Sequence, residues 1–143
     1  MTRAYCGGTF DLLHPGHVRC FRWAKENFDT VIVSLNSDAF VRRYKGAWPA
    51  QPFTERREMV EACRWVDEVT LNIDGEDSRP SILASRATHV VNGSDWSREK
   101  LMVQMRLTEA FMALHKIEIA LCPMERIFST TELKKRILEN GKH

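Results

Sequence analysis

Apolar residues along this chain alternate between short β-branched runs and longer stretches spaced for a helix. Arg3–Cys6 is a short apolar entry strand. From His14 to about Phe28 the spacing predicts a helix with Val18, Phe21 and Ala24 on one side. Pro15 suits its first turn, where a missing N–H costs nothing. Asp29–Asn36 contains TVIVSL, the pattern of a buried strand. Asn36–Phe53 reads mostly as loop, with a basic stretch at Arg42–Lys45 and breakers at Pro49 and Pro52. Thr54 can cap a helix running to about Trp65. Glu68–Ile73 is a further strand, Pro80–Arg86 a short helix and His89–Asn92 a short strand. Ser97 can cap a long helix to about His115, followed by a strand at Ile117–Leu121 and a helix at Thr130–Glu139. Strand and helix alternate throughout, which predicts an α/β single domain with a mainly parallel sheet and helices on both faces.

Size and composition fit that picture and narrow the partners. A chain of 143 residues makes one domain with a real core. The formal net charge of +2 points to neither nucleic acid nor a membrane surface, so any basic site is local. Cys6, Cys20, Cys63 and Cys122 are far apart with no CxxC spacing, which favours buried free thiols in a reducing compartment over zinc or a redox pair. Charge and glycine interrupt the N-terminus at once, so no signal-peptide pattern is present, and no apolar run approaches a membrane span. The expected location is cytoplasmic.

In a parallel sheet, ligands bind beyond the carboxyl ends of the strands. The loop after the first strand reads GGTFDLLHPGH. Gly7 and Gly8 allow close backbone approach to a ligand. No GK[ST] follows, and GxGxxG is absent. His14 and His17 lie three apart at a helix start, which places both imidazoles on one face. A helix N-terminus adds backbone donors and partial positive charge, so phosphate is the natural ligand. A metal pair would want a third ligand, and none is evident. Two incidental surface histidines are the other reading.

GTFDLLHPGH resembles the HxGH motif of the nucleotidyltransferase superfamily, in its cytidylyltransferase form. The resemblance runs along nearly the whole chain. VSLNSDAF is similar to the family's second strand and loop, ACRWVDEV to its third helix and strand, NGSDW to the loop after its fourth strand, and FSTTELKKRI to its closing ISTS-type motif. It implies a Rossmann-like five-stranded parallel sheet. It also implies a nucleoside triphosphate, CTP by preference, held by Gly7, Gly8, Thr9, Phe10, Asp11, Gly16, Asn92, Gly93, Asp95, Arg126, Ser129, Thr130 and Thr131. Trp96 would border the acceptor. His14 and His17 would donate to the α- and β-phosphates, and Lys45, Arg57 and Arg64 would neutralise phosphates. Mg²⁺ would arrive with the triphosphate, held by phosphates and water rather than by protein ligands.

Several of these residues also have plainer explanations. Arg57 and Arg64, two turns apart, suit a solvated face laced with Glu61, with Met59, Cys63 and Val66 turned to the core. Lys45 could be an ordinary loop lysine. Asp11 could hold a turn as well as a water-mediated metal. Ser129 and Glu132 make a capping box, with Phe128 and Leu133 as its hydrophobic staple. Two positions depart from the family. Met124 stands where many cytidylyltransferases have arginine, with Arg126 the nearest, and Ser94-Asp95 replaces an acidic pair.

The segment Ser97–His115 has Leu101, Met105 and Met112 on one side and Val103, Leu107 and Leu114 opposite. A helix apolar on two sides is buried on both, against the sheet and against a second subunit or an acceptor pocket. Ordinary core packing also accounts for it. The expected function is transfer of CMP from CTP to a small phosphorylated alcohol, glycerol 3-phosphate first, by a homodimer. A heptose-1-phosphate type adenylyltransferase using ATP, ethanolamine phosphate as acceptor, and a non-catalytic nucleotide-binding module are the alternatives.

Overall fold

The computed structural model describes residues 1–123 and 129–141. Five strands form one parallel sheet: β1 (Arg3–Gly8), β2 (Thr30–Leu35), β3 (Glu68–Leu71), β4 (His89–Gly93) and β5 (Glu118–Cys122). Their order is β3-β2-β1-β4-β5. The chain therefore builds outward from β1 in one direction, then returns to build in the other. The reversal lies between β1 and β4, which is where a cleft opens in sheets of this kind.

The side-chain period of two sorts β1 into two cores. Ala4 and Cys6 face α1 (Pro15–Asn27) and α3 (Phe53–Glu61), packing with Phe21, Ala24, Val31, Val33 and Val60. Tyr5 faces the other side, with Ile82 of α4 (Arg79–Ala84), Leu101 and Met105 of α5 (Arg98–Met105) and Met112 of α6 (Glu109–His115). Helices thus cover both faces, as the alternation predicts. The four cysteines are free, with Cys6 and Cys122 buried.

Three sequence expectations need correction. Asn36–Phe53 is not mostly loop, because Asp38–Lys45 forms a helix, α2. Ser37 Oγ caps it by accepting from the Phe40 N–H, and Gly46 ends it in the left-handed region. The next helix starts at Phe53, before Thr54, and stops at Glu61 rather than near Trp65. Its buried positions are Arg56 and Val60, while Met59 is exposed and Cys63 and Val66 pack on the core from the turn that follows. Finally, Ser97–His115 is two helices. Arg106 turns left-handed, and Thr108 caps α6 by accepting from the Phe111 N–H. The turn carries Leu107 into the core, leaving Val103 and Leu114 exposed, so the second apolar face is not continuous. Arg98 and Glu109 clasp across the break at 2.5 and 3.1 Å. The last helix, α7 (Thr130–Asn140), has no buried residue.

Candidate active site

Backbone geometry at the end of β1 sets up the cleft. A Cβ on Gly7 would sit 2.9 Å from the Tyr5 ring, and one on Gly8 would sit 3.1 Å from the Phe10 ring. Both glycines belong to β1 rather than to the loop. Phe10 and Leu12 then take φ of 50° and 52°, the left-handed region that side chains rarely adopt. Strain of this kind persists where surrounding bonds over-determine the backbone. Asp11 supplies such bonds: its carboxylate accepts from the Ala50 N–H at 2.7 Å and the Gln51 N–H at 2.9 Å. Of the two roles open to Asp11 in the sequence, the structure shows the one that anchors loops.

His14 does not lie on the helix but caps it. Its Nδ1 accepts from the Gly16 N–H at 3.1 Å, while His17 Nδ1 accepts from the His14 N–H at 3.3 Å. This is a reciprocal capping box built from two imidazoles. A ring nitrogen that accepts carries no proton, so each neutral ring holds its proton on Nε2 and donates from there. The rings stack with centroids 3.7 Å apart, and Phe10 packs edge-on against His17 at 5.2 Å. Burial lowers the pKa of His14. Burial also lowers that of His17, to about 3, with His14 and Lys45 adding to the effect and Asp11 opposing it. Both rings are therefore neutral donors near pH 7.

Lys45, at the end of α2, is also held below its usual pKa, by burial first and then by Lys134. Lys134 Nζ stands 3.5 Å from Asp11 Oδ2, and Thr130 Oγ1 donates to the Asp11 carbonyl at 2.8 Å. These contacts set the head of α7 beside the first loop. Ser129 Oγ accepts from the Glu132 N–H there at 2.9 Å. A cleft of about 340 Å³ lies among these groups, in the range typical of small-molecule sites.

Of the residues the sequence nominates, Gly7, Gly8, Thr9, Phe10, Asp11, Gly16, His17, Lys45, Asn92, Gly93, Asp95, Trp96 and Thr130 line the cleft. His14 is buried against His17. Ser129 and Thr131 stand beside Thr130 at the head of α7. Arg57 and Arg64 do not line it: Arg57 pairs with Glu61 at 2.5 Å, and Arg64 lies over Trp65. Met124, Arg126 and Phe128 fall outside the described residues.

Sequence reasoning misses Arg56, which is wholly buried. Its guanidinium donates to the carbonyls of Gln51, Thr9 and Asn36 and to Asp38 Oδ1, at 2.7–3.0 Å. The signal was Val60 four residues on, which shares its helix face. Also missed are Asn36 and Asn72, which follow β2 and β3. Asn72 Nδ2 donates to Asn36 Oδ1 and to the Gly75 carbonyl, and Asn36 Nδ2 donates to Thr9 Oγ1. Lys134 also goes unmarked by the sequence, which does not set it apart from Lys135 and Arg136 beside it.

The chain is similar to known proteins over most of its length. FAD synthase of Pyrococcus abyssi is 31% identical over 137 residues, covering 96% of this chain and 93% of the relative. The bifunctional protein HldE of Nitrobacter hamburgensis is 35% identical over 134 residues, covering 92% of this chain but only 26% of the relative. This chain thus spans about a quarter of HldE. The lipopolysaccharide core biosynthesis protein of Thermoplasma volcanium superposes with a TM-score of 0.68 at 21% identity, over 90% of this chain and 99% of that one. Pantoate-beta-alanine ligase of Francisella tularensis superposes at 0.64 and 16% identity, over 96% and 70%. These two likenesses concern the fold alone. The sequence profile described as cytidylyltransferase-like matches residues 5–136. With its strand-end glycines, paired histidines and α7 head gathered at one cleft, the chain belongs to the cytidylyltransferase-like family of nucleotidyltransferases.

Proposed function

We propose that this protein transfers an adenylyl group from ATP to a small phosphorylated acceptor and releases pyrophosphate. One observation carries the transfer reading: two neutral imidazoles, each with Nδ1 occupied, present Nε2–H donors at the N-terminus of α1, beside the switch point of the sheet. ATP is preferred because FAD synthase, a relative matched over nearly its full length, makes a product containing an adenylyl group.

An acceptor phosphate oxygen attacks the α-phosphorus, the bond from that phosphorus to the bridging oxygen breaks, and pyrophosphate carries the electron pair away. The attacking oxygen is already ionised, so no base is needed. Catalysis is positioning and charge stabilisation. His14 and His17 donate to phosphate oxygens, and Lys45 and Lys134 oppose the charge of the leaving group. Among the described residues, no three His, Cys, Asp or Glu form a metal-binding group. Mg²⁺ belongs to this reading as part of the nucleotide substrate, held by its phosphates and water.

CTP with glycerol 3-phosphate is the second reading, favoured by the cytidylyltransferase-like profile. In either, the enzyme is a cytoplasmic homodimer, with Val103 and Leu114 available to a second copy. Among the described residues no helix is long and apolar enough to cross a membrane. Pyrophosphate release across ATP, CTP, GTP and UTP, against phosphorylated alcohols, sugars and a flavin, tests the proposal. Release with CTP alone selects the second reading. Tight nucleotide binding without release for any acceptor overturns both.

A further inference from the structure

The strained turn of the first loop is gripped from outside the cleft. Phe10 and Leu12, on either side of Asp11, take φ of 50° and 52°. Side chains rarely adopt that region, and it persists only where neighbouring bonds enforce it. Gln51, just before α3, makes three of those bonds. Its N–H donates to Asp11 Oδ1 at 2.9 Å, next to the Ala50 N–H on Oδ2 at 2.7 Å. Its carbonyl accepts from Arg56 Nε at 3.0 Å, and the same guanidinium donates to the Thr9 carbonyl at 2.8 Å. Its side chain completes the grip, with Oε1 accepting from the Leu12 N–H at 3.1 Å. Among the described residues, that N–H is the one backbone donor from Phe10 to Leu13 with a partner in the protein. Gln51 lies off the cleft, so it reaches the reacting groups only through the turn. Just past the turn, the His14 N–H donates to His17 Nδ1 and the Gly16 N–H to His14 Nδ1, so the path of the turn sets the imidazole pair. The segment that carries Gln51 runs back through Pro49 to Lys45 at the end of α2. It therefore holds the lysine and the histidines in one frame.

We infer that Gln51 is a positioning residue for the reaction: its side-chain carbonyl holds Leu12 in the left-handed turn, and the turn aims the Nε2–H donors of His14 and His17. The inference rests on the transfer reading for what those donors act on. An N–H can bond only to an acceptor, which fixes the Gln51 amide with its oxygen toward Leu12. One such bond matters little to the fold as a whole. Its effect on the imidazoles is larger, because preorganised groups lose catalytic power steeply when displaced.

Gln51→Met keeps the length of the side chain and removes the acceptor. It should lower kcat by at least about tenfold and leave KM for the triphosphate within about threefold, the pattern of a group that acts on the transition state alone. An unchanged kcat overturns the inference. The sharper comparison adds Leu12→Gly, because glycine takes positive φ without a bond to enforce it. In that background Gln51→Met should cost no more than about twofold in kcat, a coupling between the two positions. A merely structural role predicts the opposite, since Leu12 is half-buried and its loss compounds any destabilisation. An equal or greater loss in the Leu12→Gly background overturns the route through the turn. Imidazole ¹⁵N spectra supply a readout that needs no substrate. Near pH 7 His14 and His17 should show the Nε2–H tautomer alone in the parent, and a mixture with Nδ1–H in Gln51→Met. Pure Nε2–H tautomers in the variant overturn the inference. If no triphosphate gives pyrophosphate with any acceptor, the transfer reading falls, while these spectra still decide whether Gln51 holds the imidazoles.

Discussion

At one end of the cleft His14, His17, Lys45, Lys134 and Asp11 crowd together, and burial, with neighbouring positive charge, holds His17 and Lys45 below their usual proton affinity. At the other end Tyr44, Ser78, Gln104 and Met105 present no charge. The first arrangement suits a ligand that is always anionic, whatever group is being transferred. The second suits discrimination, because neutral hydrogen bonds and shape are what distinguish one small molecule from another. Chemistry and selectivity are thus given to different materials, and the two ends should respond differently to substitution.

The largest expected effect is at the histidines. His14→Ala or His17→Ala should lower kcat by about 10²–10³-fold, the cost of one preorganised donor, with any acceptor. Turnover near the unsubstituted rate in both variants would break the contrast at its charged end. Arg56 underlies both ends, since it holds the Thr9 carbonyl on one side and the Asn36 carbonyl and Asp38 on the other. Arg56→Leu should cost about 3 kcal/mol, because a buried, multiply bonded charge loses its place and its acceptors lose their donor. Urea denaturation measures this, and an unchanged midpoint would mean that the two ends are not joined through this residue.

A smaller effect concerns pH. The folded pKa of His17 lies near 3 against 6.5 for the free side chain. Between those values the unfolded chain binds a proton that the folded protein refuses, so stability falls as pH drops from about 6.5 toward 3. His17→Gln should flatten part of that decline in urea midpoints measured between pH 7 and 4. An equally steep decline in the variant would place the acid sensitivity elsewhere. The smallest effects are expected at Arg57→Ala and Arg64→Ala, exposed positions away from the cleft, with stability within about 0.5 kcal/mol of the parent. A tenfold loss of turnover in either would bring α3 or the turn after it into contact with substrate and enlarge the charged end.

The same contrast explains what could be read in advance. The charged end is largely one contiguous stretch, from Gly7 to His17, so its glycines, proline and histidines are legible together. Even there, the imidazole capping box is a matter of backbone geometry that residue spacing does not specify. The uncharged end gathers side chains from α2, α5 and the turn before α4, which meet only after folding. The spacing of apolar residues around Arg57 spans both α3 and the turn after it. The helix packs with Arg56 and Val60 inward and stops at Glu61, so Cys63 and Val66 reach the core from the turn that follows and do not mark the buried face of the helix. The basic residues of α2 and the prolines that follow it read as loop, although Ser37 and Gly46 bracket it with ordinary start and stop signals.

The fit of Gly7 against Tyr5 and of Gly8 against Phe10 bears on how this cleft can change over generations. Tyr5 is almost fully buried, so Gly7→Ala forces an overlap that typically costs about 1–3 kcal/mol in a packed interior. A smaller residue at position 5 leaves a void when it comes first and relieves the overlap when it comes second. Each change is harmful alone and tolerable with its partner, so a lineage reshaping this floor must take the two steps nearly together.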